Sequence, residues 1–467
     1  MKTRELMNLG IPRGAAMDLV KKALRAASGQ GWKKSRIRDG VAALAERPAE
    51  YAGHEVWGQA AQEMVLCREA RAGYSPRIDP APYRQWGSGL DARSVEQMEA
   101  ACQLPVAVRG ALMPDAHPGY GLPIGGVLAT RKAVIPYAVG VDIACRMRLS
   151  VLDMPLQKLR TESQRLEKAI EKETRFGIGA AFPPKHRRQH AVLDEDWSVS
   201  PVSANLKDKA WAQLGTSGSG NHFVEFGIFS LEKADLGLEA GQYLALLSHS
   251  GSRGAGATIA SHYSRLAMKR RPELPKQLKQ LAWLDLDSQE GQEYWQAMQL
   301  MGHYAAANHA CLHRHLLKNL GAKALATVEN HHNFAWQEEH GGENVIVHRK
   351  GATPAGQEVL GVIPGSMASP CYVVRGKGEP QSLRSAAHGA GRVMSRTQAK
   401  NSLTWSAANK LLKERGVTLM SAGLDEVPMV YKNIDEVMAA QSDLVETVAV
   451  FMPQLVKMAQ AGERPED

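Results

Sequence analysis

The stretch Gly140-Val141-Asp142-Ile143-Ala144-Cys145-Arg146 constrains this chain more than any other. It follows the apolar run Ala133-Val134-Ile135 and Pro136, so a strand-like segment leads into a Gly-flanked turn. That turn offers a carboxylate and a thiol three residues apart. Thiolate softness and carboxylate charge together suit a borderline metal. The same residues also fit a buried structural cysteine and a capping aspartate, because free cysteine is among the most buried residue types. The rest of the chain has to decide between them.

At 467 residues the chain is long enough for one large core or for two to three domains. Hydrophobic content of 44% and charged content of 22% describe a globular, soluble class. No apolar run reaches the roughly 18 residues of a membrane-spanning helix, and Met1-Lys2-Thr3-Arg4-Glu5 lacks the apolar core of a signal peptide. The five cysteines (Cys67, Cys102, Cys145, Cys311 and Cys371) are odd in number and widely spaced. That argues against a disulfide framework and for a reducing, cytoplasmic setting with no membrane partner. The net charge of +9 suits an anionic partner.

Residues 1–50 hold eleven Lys or Arg against five Asp or Glu. Met17, Val20 and Leu24 recur at helical spacing and predict a helix over Ala15–Ala27. Further helices are expected over Val41–Arg47 and Glu55–Arg71, with Trp32-Lys33-Lys34-Ser35-Arg36-Ile37-Arg38 as a basic connector. This small helical unit fits a nucleic-acid clamp, with Trp32 as a stacking surface, or equally a solvated packing appendage. Gly, Pro and Ser between Gly73 and Pro82 place a boundary near Ser75, giving a helical extension over 1–75 and a main domain over 76–467. In the main domain short aliphatic runs such as Val127–Thr130 and Tyr243–Leu247 alternate irregularly with helices expected over Leu156–Glu173 and Glu293–Asn319. The irregularity excludes a doubly wound sheet and predicts one large α+β domain with many functional loops. Phe182–His190 reads as an exposed basic loop.

Five further stretches pair small residues with His, Asn or Cys. Gly215-Thr216-Ser217-Gly218-Ser219-Gly220-Asn221-His222-Phe223-Val224-Glu225 lets backbone N–H groups approach an anion. In Ser248-His249-Ser250-Gly251-Ser252-Arg253-Gly254 the imidazole suits a metal and the guanidinium a phosphate. Glu329-Asn330-His331-His332-Asn333 carries adjacent histidines, of which an extended chain turns at most one into a given site. The fourth is Val362-Ile363-Pro364-Gly365-Ser366-Met367-Ala368-Ser369-Pro370-Cys371. The fifth, Ser385-Ala386-Ala387-His388-Gly389-Ala390-Gly391-Arg392, rings a histidine with small residues, as an exposed nucleophile beside a phosphate would require. Each histidine alone also fits a structural role. Together with the Asp-x-x-Cys turn they make a His/Cys/Asp metal site with nucleotide-binding loops around it. His303, His309, His313 and His315 lie on an expected helix and are assigned to its packing and surface. The pair His309 and His313 lacks the glutamate of the zinc-protease pattern.

In order, Met-Pro-Asp-x-His at 113–117, Gly-Val-Asp-Ile-x-Cys at 140–145, Gly-Ser-Gly-Asn-His-Phe at 218–223 and His-Ser-Gly-Ser-Arg-Gly at 249–254 resemble the RtcB family of RNA-splicing ligases. The resemblance continues through His-His-Asn at 331–333, His-Arg-Lys-Gly-Ala at 348–352, Ile-Pro-Gly-Ser-Met at 363–367, His-Gly-Ala-Gly-Arg-x-Met-Ser-Arg at 388–396 and Tyr-Lys-Asn at 431–433. It covers roughly Pro82 to Val445 and implies one large α+β domain with a mixed-sheet core and a metal and nucleotide cleft. The activity it implies is joining of RNA 3′-phosphate or 2′,3′-cyclic phosphate ends to 5′-hydroxyl ends, with GTP, two Mn²⁺ per site and a histidine–GMP intermediate. The partners implied are RNAs with broken ends, of transfer-RNA or ribosomal-RNA class.

Carried over by motif, Asp142, Cys145, His222, His249 and His332 look like the metal ligands, with Cys145 bridging two ions. His388 looks like the guanylated nucleophile. The implied nucleotide contacts are Asn221, His222, Phe223, Val224, Glu225, His332, Asn333, Pro364, Gly365, Ser366, Met367, Cys371, His388, Gly389, Ala390, Gly391, Tyr431 and Lys457. Arg253 and Arg392 are implied for RNA or nucleotide phosphates. The chain departs from the family in three places. Cys371 replaces a usual serine, Arg146 replaces a small residue, and Lys457 stands in for a terminal lysine that touches guanine only with a shift of register. The 1–75 extension, outside the common bacterial core, marks a divergent bacterial paralogue. An end-modifying phosphoesterase or 3′-phosphate capping enzyme is the alternative reading.

Overall fold

The computed structural model describes residues 1–12, 15–72 and 74–463, the side chains of 66–72 excepted, so Cys67 lies outside the described residues. The chain divides into two compact units. One comprises Met1–Pro76 with Lys269–Lys279, and the other Arg77–Met268 with Gln280–Asp467. The sequence carried no signal that 269–279 groups with the N-terminal residues.

In the first unit, helices span Thr3–Asn8, Ala15–Gly29, Lys34–Glu46 and Gly58–Ala72. Ala16, Met17, Val20, Ala23 and Ala27 form the buried stripe of the second of these and pack with Val41, Leu44 and a fully buried Trp57. The third helix starts seven residues earlier than expected. Its apolar stripe begins at Ile37 rather than Val41, since Ile37, Val41 and Leu44 follow the i, i+4, i+7 spacing. Five of the seven residues of the expected basic connector are therefore helical.

The second unit is α+β, as expected, and is built on two sheets. The larger has eight strands. Seven run in the order Leu360–Pro364, Cys371–Gly376, Val445–Met458, Phe223–Leu231, Gly241–Ser250, Arg146–Leu152, Ala324–His331, and Thr418–Ser421 joins Val445–Met458 in parallel. The five-stranded sheet runs Tyr83–Gln85, Ala107–His117, Ile124–Thr130, Glu343–Lys350, Asn333–His340. Most neighbours are antiparallel, and Tyr83–Gln85 pairs in parallel, which makes both sheets mixed. Their strands read as long apolar runs because both faces are covered: Leu244 and Leu246 lie in one core cluster, Ala245 and Leu247 in another.

The long helix Gln289–Leu320 begins where the Ser288 hydroxyl accepts from Gly291 N at 3.1 Å and ends at Gly321 in the left-handed region, φ 65°. A cap of this kind contributes about 1 kcal/mol. The expected helix over 156–173 is split into Lys158–Thr161 and Ser163–Glu173. Phe182–His190 is exposed at Pro183 to His186 and at Gln189, as expected, but is anchored at other points. Phe182 is buried, Arg188 stacks on its ring at 4.2 Å and pairs with Glu173 at 2.9 Å, and Arg187 reaches Asp208 at 2.7 Å.

Candidate metal centre and active site

Four adjacent strands of the larger sheet end at one place. His222 immediately precedes Phe223–Leu231, His249 is the penultimate residue of Gly241–Ser250, Cys145 precedes Arg146–Leu152, and His332 follows Ala324–His331. Antiparallel pairing puts all four at the same end of the sheet, with Phe223 and Met147 both opposite His249. Asp142 reaches them from the turn. The turn needs Gly140 at φ 102° and holds Ala144 at φ 57°. Gly251 is required beside it: a Cβ there would sit 2.1 Å from the Asp142 carboxylate.

Cys145 Sγ lies 3.1 Å from His249 Nε2 and 3.4 Å from His222 Nε2. His222 Nε2 is 3.0 Å from Asp142 Oδ2, and His249 Nε2 is 3.2 Å from His332 Nε2. Two triads result, Asp142–Cys145–His222 and Cys145–His249–His332, sharing the sulfur and buried throughout. Burial pushes the His249 and His332 imidazoles well below their ordinary range, so both rings are neutral donors. The His249 Nδ1 proton is donated to the Asn221 carbonyl at 3.0 Å, which leaves the Nε2 lone pair facing the sulfur. Asp142 Oδ2 is buried and, apart from the nearby His222 Nε2, meets no hydrogen-bond donor among the described residues. Converging lone pairs, a thiol and an unsolvated carboxylate oxygen fit divalent transition-metal ions. His331 turns the other way, packing edge-on against Phe334 and tilted over Trp336, as period-two alternation requires.

These groups lie in a cleft of roughly 1890 Å³. Asn221, His222, Phe223, Glu225, His332 and Asn333 line it, as do Pro364 to Met367, Cys371, His388 to Arg392 and Tyr431. His388 follows the short strand Ser385–Ala387, and its ring is 5.0 Å from that of His332. Its Nδ1 meets Asp115 Oδ2 at 2.7 Å, and the same oxygen accepts His388 N at 3.1 Å and Gly389 N at 3.3 Å. Asp115 is fully buried on Ala107–His117 of the smaller sheet. Gly391 permits this approach, since a Cβ there would lie 2.1 Å from the Asp115 carbonyl oxygen. With Nδ1 engaged, His388 Nε2 is the free nitrogen. The larger sheet thus delivers Cys145, His222, His249 and His332, the five-stranded sheet delivers Asp115, and His388 comes from a separate two-stranded ladder of Ala352–Pro354 with Ser385–Ala387.

Glu225 is buried and lines the cleft, and its carboxyl has no hydrogen-bond partner among the described residues. Burial raises its carboxyl well above the ordinary range. Cys371 lies close enough for that carboxyl to raise its thiol further, after burial itself. Asn333 Oδ1 accepts from Gly351 N at 2.8 Å.

Three implied residues are not brought to the cleft, and one is brought there with its donors already engaged. Val224 alternates away from Phe223 and Glu225 into the core. Lys457 is opposite Val224 in the register and therefore shares its face, where it meets Glu171 at 3.5 Å and the Phe176 ring at 5.6 Å. Arg253 is buried, donating to Thr216 Oγ1 at 3.1 Å and the Gly177 carbonyl at 2.9 Å beneath the glycine-rich loop. Arg392 does line the cleft, with its guanidinium held by the Asp425 carbonyl at 2.8 Å, the Met394 carbonyl at 3.2 Å and Glu426. Residues that the sequence reading did not single out also line the cleft: His117, Lys350, Lys432 and Arg396. Together with Asp115, these lie inside motifs already quoted, which was the signal available. Burial lowers Lys350 to about 7 and His117 to about 4.

Fold and geometry define the class first: an α+β protein in which two Cys, His and Asp triads that could hold metal ions share a cleft with a buttressed histidine. Residues 97–199 and 186–458 match the family described as tRNA-splicing ligase RtcB. The RNA-splicing ligase RtcB of Escherichia coli K12 is 33% identical over 399 residues, covering 79% of this chain and 95% of the relative. The tRNA-splicing ligase RtcB of Nanoarchaeum equitans is 32% identical over 437 residues, covering 78% and 91%. That of Methanococcus maripaludis is 31% identical over 416 residues, covering 73% and 86%. The chain belongs to the RtcB family. No helix among the described residues is long and apolar enough to cross a membrane.

Proposed function

We propose that this protein is a Mn²⁺- and GTP-dependent RNA ligase that joins 3′-phosphate or 2′,3′-cyclic phosphate ends to 5′-hydroxyl ends. Family membership and the relatives' names, RNA-splicing and tRNA-splicing ligases, support the reaction class. The observation that carries the residue roles is the convergence of two triads on Cys145 with His388 beside them. Asp142, Cys145 and His222 would hold one ion, and Cys145, His249 and His332 the other. When bound, the ions neutralise phosphate charge and acidify a bound water.

The chain's own residues supply the rest. Asp115 holds the His388 Nδ1 proton, and Nε2 directs its lone pair at the α-phosphorus of GTP. A P–N bond forms, the bond to the β-phosphate oxygen breaks, and pyrophosphate leaves. An oxygen of the RNA 3′-phosphate then displaces His388 from phosphorus, returning the lone pair to Nε2. The RNA 5′-hydroxyl oxygen attacks the activated 3′-phosphorus, loses its proton, and GMP departs. A cyclic phosphate is opened by water to the 3′-phosphate beforehand. Asn221, Phe223, Glu225, the Pro364–Met367 turn, Cys371, Gly389–Gly391 and Tyr431 form the nucleotide side of the cleft. The substrates are broken RNAs of transfer- or ribosomal-RNA class. Five scattered cysteines are the ground for a cytoplasmic setting.

One observation favours a second reading, 3′-phosphate capping or phosphoesterase chemistry without efficient joining: the nucleotide side has Cys371 beside Glu225, and Lys457 faces elsewhere. Intact-protein mass after incubation with Mn²⁺ and each nucleoside triphosphate tests both. A GMP-sized increment with GTP, absent in His388→Ala, followed by joined RNA on adding substrate, is the expected result. Capped but unjoined RNA would select the second reading. No increment with metal bound would overturn the nucleotidyl-histidine mechanism.

A further inference from the structure

The family match begins at residue 97, so Met1–Pro76 lies outside it, and of the first unit only Lys269–Lys279 falls within the matched range. Met1–Pro76 and Lys269–Lys279 together contain eighteen Lys and Arg against nine Asp and Glu. Their surplus of nine equals that of the whole chain, which leaves the second unit balanced. In the second unit four buried or half-buried arginines are paired: Arg146 with Glu329, Arg188 with Glu173, Arg349 with Glu338, Arg396 with Asp425. The first unit treats its cations differently. Lys21, Lys22 and Arg25 lie opposite the buried stripe of helix Ala15–Gly29, and Lys33, Lys34 and Arg38 cluster at the start of the next helix. Five of the six are exposed and Lys21 is half-buried. Among the described residues none of the six has a carboxylate within 4.0 Å, whereas Arg47 pairs with Glu50 at 3.2 Å. Asp18 and Asp39 are the acids nearest them in sequence. The apolar cluster of this unit needs none of the six for its packing. Uncompensated positive charge repels itself and is relieved by a polyanion.

Trp32 gives little opening for base stacking. Arg36 covers one face at 4.0 Å, and Trp57 and His54 pack edge-on against the ring. Recognition here would use phosphates rather than bases. We propose that Lys21, Lys22, Arg25, Lys33, Lys34 and Arg38 form a sequence-independent docking surface for the phosphate backbone of RNA. The identity of the polyanion rests on the ligase reading above.

The test uses the full chain with all six residues changed to Gln, and a single-stranded RNA with unreactive 5′-phosphate and 3′-hydroxyl ends. Each phosphate contact adds about 0.7 to the slope of log K against log salt for single strands. Three to six contacts therefore predict a slope reduced by about 2 to 4 and binding at least tenfold weaker at 0.1 M salt. RNAs of different sequence should be affected alike, Lys→Arg at the four lysines should retain binding, and His388 nucleotidylation without RNA should be unchanged. An unchanged slope in a folded Gln variant that still joins RNA would overturn the surface and leave the ligase reading standing. A shifted slope in a protein that never modifies His388 would support the surface and overturn the ligase mechanism. Loss of binding to phosphatidylserine vesicles with RNA binding intact would assign the face to a membrane and overturn the proposal.

Discussion

Asp115→Asn removes one negative charge from beneath the His388 ring while keeping its shape. In the wild type one carboxylate oxygen accepts three N–H groups, at 2.7, 3.1 and 3.3 Å. An asparagine oxygen can occupy that position, and its amide nitrogen then replaces Oδ1, which is buried with no hydrogen-bond partner among the described residues. The stability cost is that of one unsatisfied buried amide, about 1–3 kcal/mol. The larger effect falls on the chemistry. Bonding of Nε2 to phosphorus turns the ring into a cation, and the carboxylate stabilises that charge. Unit charges about 4 Å apart at an effective dielectric of about 20 interact by roughly 4 kcal/mol. Losing that term slows nucleotidyl transfer by about 10³-fold, at about 1.4 kcal/mol per decade. The assay is single-turnover appearance of the nucleotide–protein adduct with α-labelled GTP, with bound manganese measured on the same sample. Adduct formation within threefold of wild type, with metal content unchanged, would refute the electrostatic role assigned to Asp115.

The shared sulfur predicts unequal metal loss. Cys145→Ala should lower bound Mn²⁺ from two toward zero, and Asp142→Ala should lower it toward one, by elemental analysis after desalting. Lys457→Ala should leave nucleotide choice and affinity within about twofold of wild type, because the side chain faces Glu171, whereas Glu225→Ala should weaken base discrimination by tenfold or more, about 1.4 kcal/mol. Burial raises the Glu338 carboxyl, but hydrogen bonds from His340 and Arg349 outweigh it and hold it at about 2 against an ordinary 4.5. A folded-state value below the unfolded one means that its contribution is complete above about pH 4.5 and is lost as pH falls toward 2. Glu338→Gln should therefore flatten the urea midpoint across that window, and a slope equal to wild type would contradict it.

What the sequence made legible was local chemistry on short motifs. Spacing offered the Asp142–Cys145 turn and the small residues around His388, and alternation limited the pair His331 and His332 to one inward ring; that the inward one is His332 came with the family resemblance. Contacts between distant segments were not legible. Nothing near Asp115 in the chain says that it meets His388, 273 positions away. Arg253 resembles a phosphate-gripping residue because it follows Gly and Ser, yet the turn folds it at φ 56° beneath the loop it was expected to serve. Lys457 depended on register. Val445–Met458 shifts pairing between Pro453 and Leu455, and each one-residue shift exchanges the faces of a strand.

The residue where these local and distant relations meet is His332. The chain leaves the larger sheet at His331 and enters the smaller one at Asn333, so a metal ligand sits at the crossing. Its backbone N donates to the Cys145 carbonyl at 3.0 Å, and the Asn333 carbonyl accepts Ala144 N at 2.7 Å. The Asn333 side chain holds Gly351 N at 2.8 Å, and a Cβ on Gly351 would lie 3.1 Å from the His388 ring. One dipeptide thus fixes the metal turn on one side and the strand end beside the nucleophile on the other. Nucleotidyl transfer relies on positioning and charge neutralisation more than on covalent help from the protein. A crossing that ties ligand and nucleophile into one hydrogen-bonded frame meets that demand with backbone groups, whose positions the two sheets have already set.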